Sequence, residues 1–360
     1  MKAHPFPFSF KRGFTLIELL LSIAILSILM VILVTITGQT SAVWRSTTGK
    51  AEQFREARTA FESITRNLSQ ATLNTYYDYY DSTGARRTNA NVKTFVPAKY
   101  GRYSELRFRC DFADVANFIP GGSTVRPTQA IFFQAPLGFT EQKSYAGLGN
   151  LLNTWGYYIE FRTDSDRPDF ITNTGSAEKY RYRLIEFMEP TENLGLYKAG
   201  ANWLQNATDP DKTHVLATNI IALVFLPKLP SQGPVSDPTV DADGGKLAPR
   251  YRYDSTTTGD GYAVAGSAAE RAAVNSFNQL PPIVEVTMVA IDEASAMRLD
   301  NGAALPNFTL DGLFENASLA QKRADLLTLQ NRLTNAKVSY RVFSTEVSLR
   351  GAKWSREQIN

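Results

Sequence analysis

Residues Lys11 to Ile36 read KRGFTLIELLLSIAILSILMVILVTI. Within this stretch Phe14 to Ile36 is apolar except for hydroxyls and one acid, Glu18. At about 1.5 Å per residue a helix of this length extends roughly 34 Å, enough to cross the hydrocarbon of a bilayer. Lys2, Lys11 and Arg12 precede it, and the next basic residue is Arg45. The positive-inside tendency therefore predicts a cytoplasmic N-terminus and an exported remainder. A secretory signal peptide would place its cleavage site after the apolar run, at small residues, whereas this run continues straight into further helical pattern. Glu18 is the feature that needs a reason, because a carboxylate in hydrocarbon is costly and usually has a partner or a task. The bland alternative is a single-span anchor with an accidental acid.

Composition bounds the rest. The chain has 360 residues, 43% hydrophobic and 20% charged, which supports a folded core of ordinary size in one sizeable domain or two small ones. Lys2, Lys11 and Arg12 account for the whole formal charge of +3, so the chain after Gly13 is formally neutral. That leaves no global field to gather nucleic acid, and the basic runs Arg86-Arg87 and Arg250-Tyr251-Arg252-Tyr253 are short. Cys110 is the only cysteine, which excludes an intrachain disulfide, and the histidines are His4 and His214. Histidine-dependent catalysis and thiol metal clusters have almost no material.

The run Lys11-Arg12-Gly13-Phe14-Thr15-Leu16-Ile17-Glu18-Leu19-Leu20 resembles the N-terminal motif of type IV prepilins and type II secretion pseudopilins. The resemblance covers about the first 40 residues. It implies a leader, 1–13, that a prepilin peptidase removes after Gly13, and N-methylation of the new terminus at Phe14. It also implies that Glu18 pairs with the amine of a neighbouring subunit in a helical filament. Cleavage before Phe14 would create a cationic amine one helical turn from Glu18, which gives the spacing a physical sense. The implied partners are the peptidase, other pilin or pseudopilin subunits, an inner-membrane assembly platform and membrane lipid.

Beyond a transmembrane helix at 14–37, the apolar or small positions Trp44, Thr47, Ala51, Phe54, Ala57, Phe61, Ile64, Leu68 and Ala71 recur at steps of three and four. They predict an amphipathic continuation over 38–76, with Gly38 and Gly49 as weak points. The helix is expected to end at the cluster Tyr76-Tyr77-Asp78-Tyr79-Tyr80, read as packing or as a contact for sugars or a partner. The head, 77–360, then turns to period two. Strands are predicted at Leu106–Phe112 with Cys110 facing inward, Ala130–Ala135, Tyr157–Arg162, Tyr180–Phe187, Ile220–Leu226, Ile283–Ile291 and Val338–Leu349, the last with a bulge at Val342-Phe343. A helix is predicted over Leu319–Asn335. The expected architecture is α+β, a long N-terminal helix against antiparallel strands, with the Pro- and Gly-rich stretch 227–266 as an exposed loop insertion.

Asp237, Asp241 and Asp243 beside Gly244-Gly245 form a calcium candidate that lacks the full calcium-loop pattern. Asp164, Asp166 and Asp169 raise the same idea with Arg167 among them. With no nucleophile elbow, phosphate loop or zinc motif, no enzymatic activity and no further cofactor are expected. Pro281–Ile291 followed by Val347-Ser348-Leu349-Arg350-Gly351 resembles minor pseudopilin J. Ala130–Gly138 and Ala290–Ala296 are similar to the prepilin-like cassette proteins, type C, of Verrucomicrobia. Glu18 is unlike the large K-type tip pseudopilins. A head of this bulk implies a low-copy minor subunit of a secretion pseudopilus or related type IV filament. The alternatives are a type IV pilus minor subunit with an adhesive or DNA-uptake role and, third, a membrane-anchored enzyme.

Overall fold

The computed structural model describes residues 15–115, 118–121, 124–163, 178–197, 203–228, 248, 251–256, 276–306, 310–315 and 319–354. The chain forms two compact units, Met1–Glu52 and Gln53–Asn360. Helix α1, Leu16–Leu68, is unbroken through Gly38 and Gly49, so their propensity cost of about 1 kcal/mol each does not stop it.

In the first unit, Leu16–Ser41 is long and apolar enough to span a membrane, and it buries nothing within the unit. Its hydroxyls turn back onto the helix: Ser22 donates to the Leu19 carbonyl (2.9 Å), Ser27 to Ile23 (2.8 Å), Thr35 to Val31 (2.8 Å) and Thr37 to Leu33 (2.7 Å). These four hydroxyls are thus already paired within the helix, as hydrocarbon requires.

In the second unit, the last turns of α1 bury Ala57, Ala60, Phe61, Ile64 and Leu68, a stripe at steps of three and four. The helix stops at Leu68, earlier than the expected Tyr76 boundary. Ala71 and Leu73 prolong the apolar pattern, but they reach the core from extended chain, where the Thr72 amide donates to the Gln134 carbonyl (2.9 Å). The tyrosine cluster is instead strand β1, Tyr76–Tyr80, paired antiparallel with β2, Lys99–Tyr103. Aromatic residues suit a pleated surface better than a helix end.

The remaining strands are β3 (Arg109–Phe112), β4 (Gln129–Pro136), β5 (Leu152–Thr163), β6 (Tyr180–Glu189), β7 (Thr213–Thr218), β8 (Ile220–Lys228), β9 (Tyr253–Asp254), β10 (Ile283–Ile291) and β11 (Tyr340–Ser348). They make a six-stranded antiparallel sheet, β7-β6-β5-β4-β3-β9, and a three-stranded one, β11-β10-β8. Between β10 and β11 lie α2, Glu293–Leu299, capped by the Asp292 carboxylate on the Ser295 amide (2.9 Å), and α3, Leu319–Asn335. The main core joins Phe61 and Ile64 of α1 to Phe133, Tyr157, Phe225, Val286 and Leu333 from the two sheets and α3. A second core, with Phe118, Phe132, Tyr158, Phe187 and Trp203, covers the other face of the large sheet. Adjacent residues of β5 therefore both enter a core, and the strand is buried on both sides rather than half-buried.

Gly156 lies opposite Phe132, whose ring crosses its Cα; an added Cβ would sit 2.2 Å from Phe132 Cδ1. Only glycine fits that approach. The expected bulge at Val342-Phe343 is absent: β10 and β11 keep register from Ile283 opposite Ser348 to Ile291 opposite Tyr340. The irregularity falls between Val289 and Ala290, against β8. Val342 and Phe343 share an edge strand, where both neighbours are half-buried and Phe343 rests on Phe61 (5.8 Å between centroids). The stretch 227–266 is also not wholly an exposed loop. Among its described residues, Ala248, Tyr251, Tyr253 and Ser255 are buried, β9 pairs with Arg109 and Cys110, and the Tyr253 hydroxyl donates to the Gln279 carbonyl (2.8 Å).

Candidate functional site

The expected cleavage pair, Gly13 and Phe14, lies outside the described residues. Thr15 directly precedes the first turn of α1. Glu18 Oε2 accepts from both the Thr15 amide and the Thr15 hydroxyl, each at 2.9 Å, and the Glu18 amide donates back to Thr15 Oγ1 at 3.4 Å. This is a reciprocal capping box. Thr15 stands at the cap position and Glu18 three residues on, so side chains satisfy amides that the helix start would otherwise leave orphaned. The acid also lies where the positive end of the helix dipole favours it. All the bonds to Glu18 use Oε2; Oε1 receives none among the described residues. A second donor can therefore be met without breaking the cap. The T-x-x-E spacing is legible in sequence, yet the sequence reading treats Glu18 alone and misses Thr15.

The other candidates do not assemble into a site. Asp237, Asp241 and Asp243, like Asp164, Asp166 and Asp169, lie outside the described residues, and no group of three or more potential metal ligands occurs among those described. Cys110 is buried, its sulfur 3.4 Å from the Tyr251 carbonyl, and burial pushes the thiol well above its ordinary range, as for a core filler. His214 is exposed on β7.

Polar groups buried in the head serve as fasteners. Asn67 Nδ2, in the last turn of α1, donates to the Tyr157 hydroxyl (2.9 Å), which donates to Glu186 Oε1 (2.9 Å), and Trp155 Nε1 reaches the same oxygen (2.8 Å). Burial, reinforced by Glu186, holds the Tyr157 phenol well above its ordinary value, so it remains a donor. On the smaller sheet, Lys322 of α3 meets Glu285 Oε1 at 2.5 Å, and Lys228 meets Glu285 Oε2 at 3.5 Å and Glu346 Oε1 at 2.6 Å. Burial raises the Glu285 carboxyl, but Lys322 and then Lys228 outweigh it and hold the group below 4.5.

Comparison with protein families matches residues 9–34 to the prokaryotic N-terminal methylation motif. No curated protein and no solved structure matches the chain. The matched window contains Gly13, Phe14, Thr15 and Glu18 and runs into the membrane-length helix, and an antiparallel α+β head follows. The chain thus carries a type IV pilin-like prepilin motif on a fold of the pilin plan.

Proposed function

We propose that this protein is a minor subunit of a type II secretion pseudopilus or a related type IV filament, processed after Gly13, methylated on Phe14 and assembled through α1. The head lies outside the inner membrane, the single span keeps its N-terminus cytoplasmic until processing, and the chain performs no catalysis. The observation that carries this reading is Glu18, an acid in an apolar span whose Oε2 closes the helix cap and whose Oε1 receives no bond from the described residues. A terminal ammonium created one turn away, in the same or a neighbouring subunit, supplies the charged donor that makes such a group tolerable in a bundle of like helices. The supporting findings are the methylation-motif match and the paired hydroxyls along the span.

The test is Glu18→Ala in the native host, followed by co-purification with the other pilin-like subunits. The variant is expected to insert in the membrane at normal level and to lose most of that association. Undiminished association contradicts the reading. Recovery of the protein with a secretin and exoprotein export, rather than with a retraction ATPase, assigns it to the secretion system.

A further inference from the structure

The β1–β2 pair and the loop joining it form a tongue with an unusual surface. Fourteen large hydrophobic side chains outside α1 are exposed among the described residues, and six of them fall between Tyr76 and Tyr100. Val96, 73% exposed, is the most exposed of the fourteen. Pairing places Tyr77, Tyr79 and Tyr100 on one face of the ribbon. Their rings form a short ladder, with Tyr100 5.3 Å from Tyr77 and 5.0 Å from Tyr79 between centroids. The base of the ribbon is fixed to the head, since Arg102 Nη1 donates to Gln279 Oε1 and Asn278 Nδ2 donates to the Arg102 carbonyl, both at 2.9 Å. The exposure therefore belongs to a placed element.

Charge selects the occupant. Residues 76–103 contain five basic and two acidic side chains. Asp78 is taken by Arg86 (3.0 Å), and Asp81 accepts from its own turn, at Thr83 and Ala85. Arg87, Lys93 and Lys99 are exposed with no carboxylate partner among the described residues. Exposed tyrosines, exposed valines and unpaired cations together match the chemistry of a bilayer interface, where amphipathic rings sit at headgroup level and cations meet anionic lipid. A nucleic-acid strand would use the rings and the cations but would leave Val92 and Val96 wet.

We propose that this tongue is a contact surface for a bilayer bearing anionic headgroups. Tyr77, Tyr79, Tyr100, Val92 and Val96 supply the interfacial apolar area, and Arg87, Lys93 and Lys99 supply the attraction. Because α1 anchors the same chain, under the reading above, even a weak contact acts at high effective concentration.

The test uses the full chain reconstituted in vesicles of phosphatidylcholine with or without phosphatidylglycerol. Anchoring is checked separately, by flotation after an alkaline wash. With Cys110 buried, Val96→Cys gives one accessible thiol for a polarity-sensitive fluorophore, and Leu327→Cys on the outer face of α3 gives a reference. At Val96 the expected result is a blue shift in anionic vesicles, with quenching by lipid-borne quencher roughly twofold or more stronger than in neutral ones. The effect should vanish with R87E/K93E/K99E and weaken with Y77S/Y79S/Y100S, and the Leu327 label should not move. An anchored protein whose Val96 label is unchanged between detergent and anionic vesicles overturns the proposal. Equal shifts at both positions, or a shift produced by a single-stranded oligonucleotide in detergent instead of by lipid, overturn it too.

Discussion

The amide and the hydroxyl of Thr15 converge on one oxygen of Glu18, each at 2.9 Å. A residue that the apolar span makes costly is thereby put to use at the helix start, before any neighbour arrives. Thr15→Val keeps the shape and removes the hydroxyl, so one bond to Oε2 and the return bond to the Glu18 amide are lost. Exchange of the Glu18 and Leu19 amides, which bond to Thr15 Oγ1 and to the Thr15 carbonyl, should become roughly fivefold faster in the detergent-solubilised chain, with the rest of the span unchanged. Unaltered exchange would mean that the cap is not what holds this turn.

Gly156→Ala should destabilise the head by about 1–3 kcal/mol, because the new methyl meets the Phe132 ring at 2.2 Å inside the second core. Combining it with Phe132→Leu should recover part of the loss, so a denaturant series on the two single variants and the double one should be non-additive. Full additivity would show that the ring is not the obstacle.

Tyr157→Phe removes a hydroxyl that accepts from Asn67 and donates to Glu186. The expected cost is about 1–3 kcal/mol, since the phenylalanine leaves a buried amide and a carboxylate each short of a partner. Because Asn67 belongs to the last turn of α1, exchange protection of residues 64–68 should fall along with global stability. Loss of global stability with protection at 64–68 retained relative to the rest would detach the network from the helix.

Glu285 is held below its ordinary value of 4.5 by Lys322 and Lys228 against the pull of burial. A carboxyl whose folded-state pKa is depressed contributes stability that is fully present above its unfolded value and is lost as pH falls through the folded one. The wild type should therefore lose stability from just above pH 4.5 downward faster than Glu285→Gln, which has no such proton to take up. At neutral pH the variant should be the less stable, with Lys322 left buried beside an amide. Parallel acid curves would remove Glu285 from the account.

The elements most legible from sequence were those whose apolar pattern has one reading. Strand Ile283–Ile291 and helix Leu319–Asn335 occur with the boundaries that their periodicity predicts. The end of α1 was not legible, because Ala71 keeps helical spacing from Leu68 while entering the core from beyond the helix end. Burial of both faces of β5 was hidden for a related reason: Glu160 and Arg162 interrupt its apolar residues, and nothing local shows that Phe118, Trp203 and Leu204 pack with Tyr158. β9 joins the sheet through two residues, too few to leave a pattern. At the N-terminus the acid stands out by its cost, whereas Thr15 is marked only by its T-x-x-E spacing to Glu18, a cap signal that the apolar residues around it overshadow.

Mass spectrometry of the N-terminal peptide of the protein extracted from its native membrane tests the central claim most directly. The account predicts a chain beginning at a monomethylated Phe14 in the wild type, and full-length protein retained in the membrane for Gly13→Ala. A wild-type chain that keeps residues 1–13, or that begins anywhere other than Phe14, would contradict it.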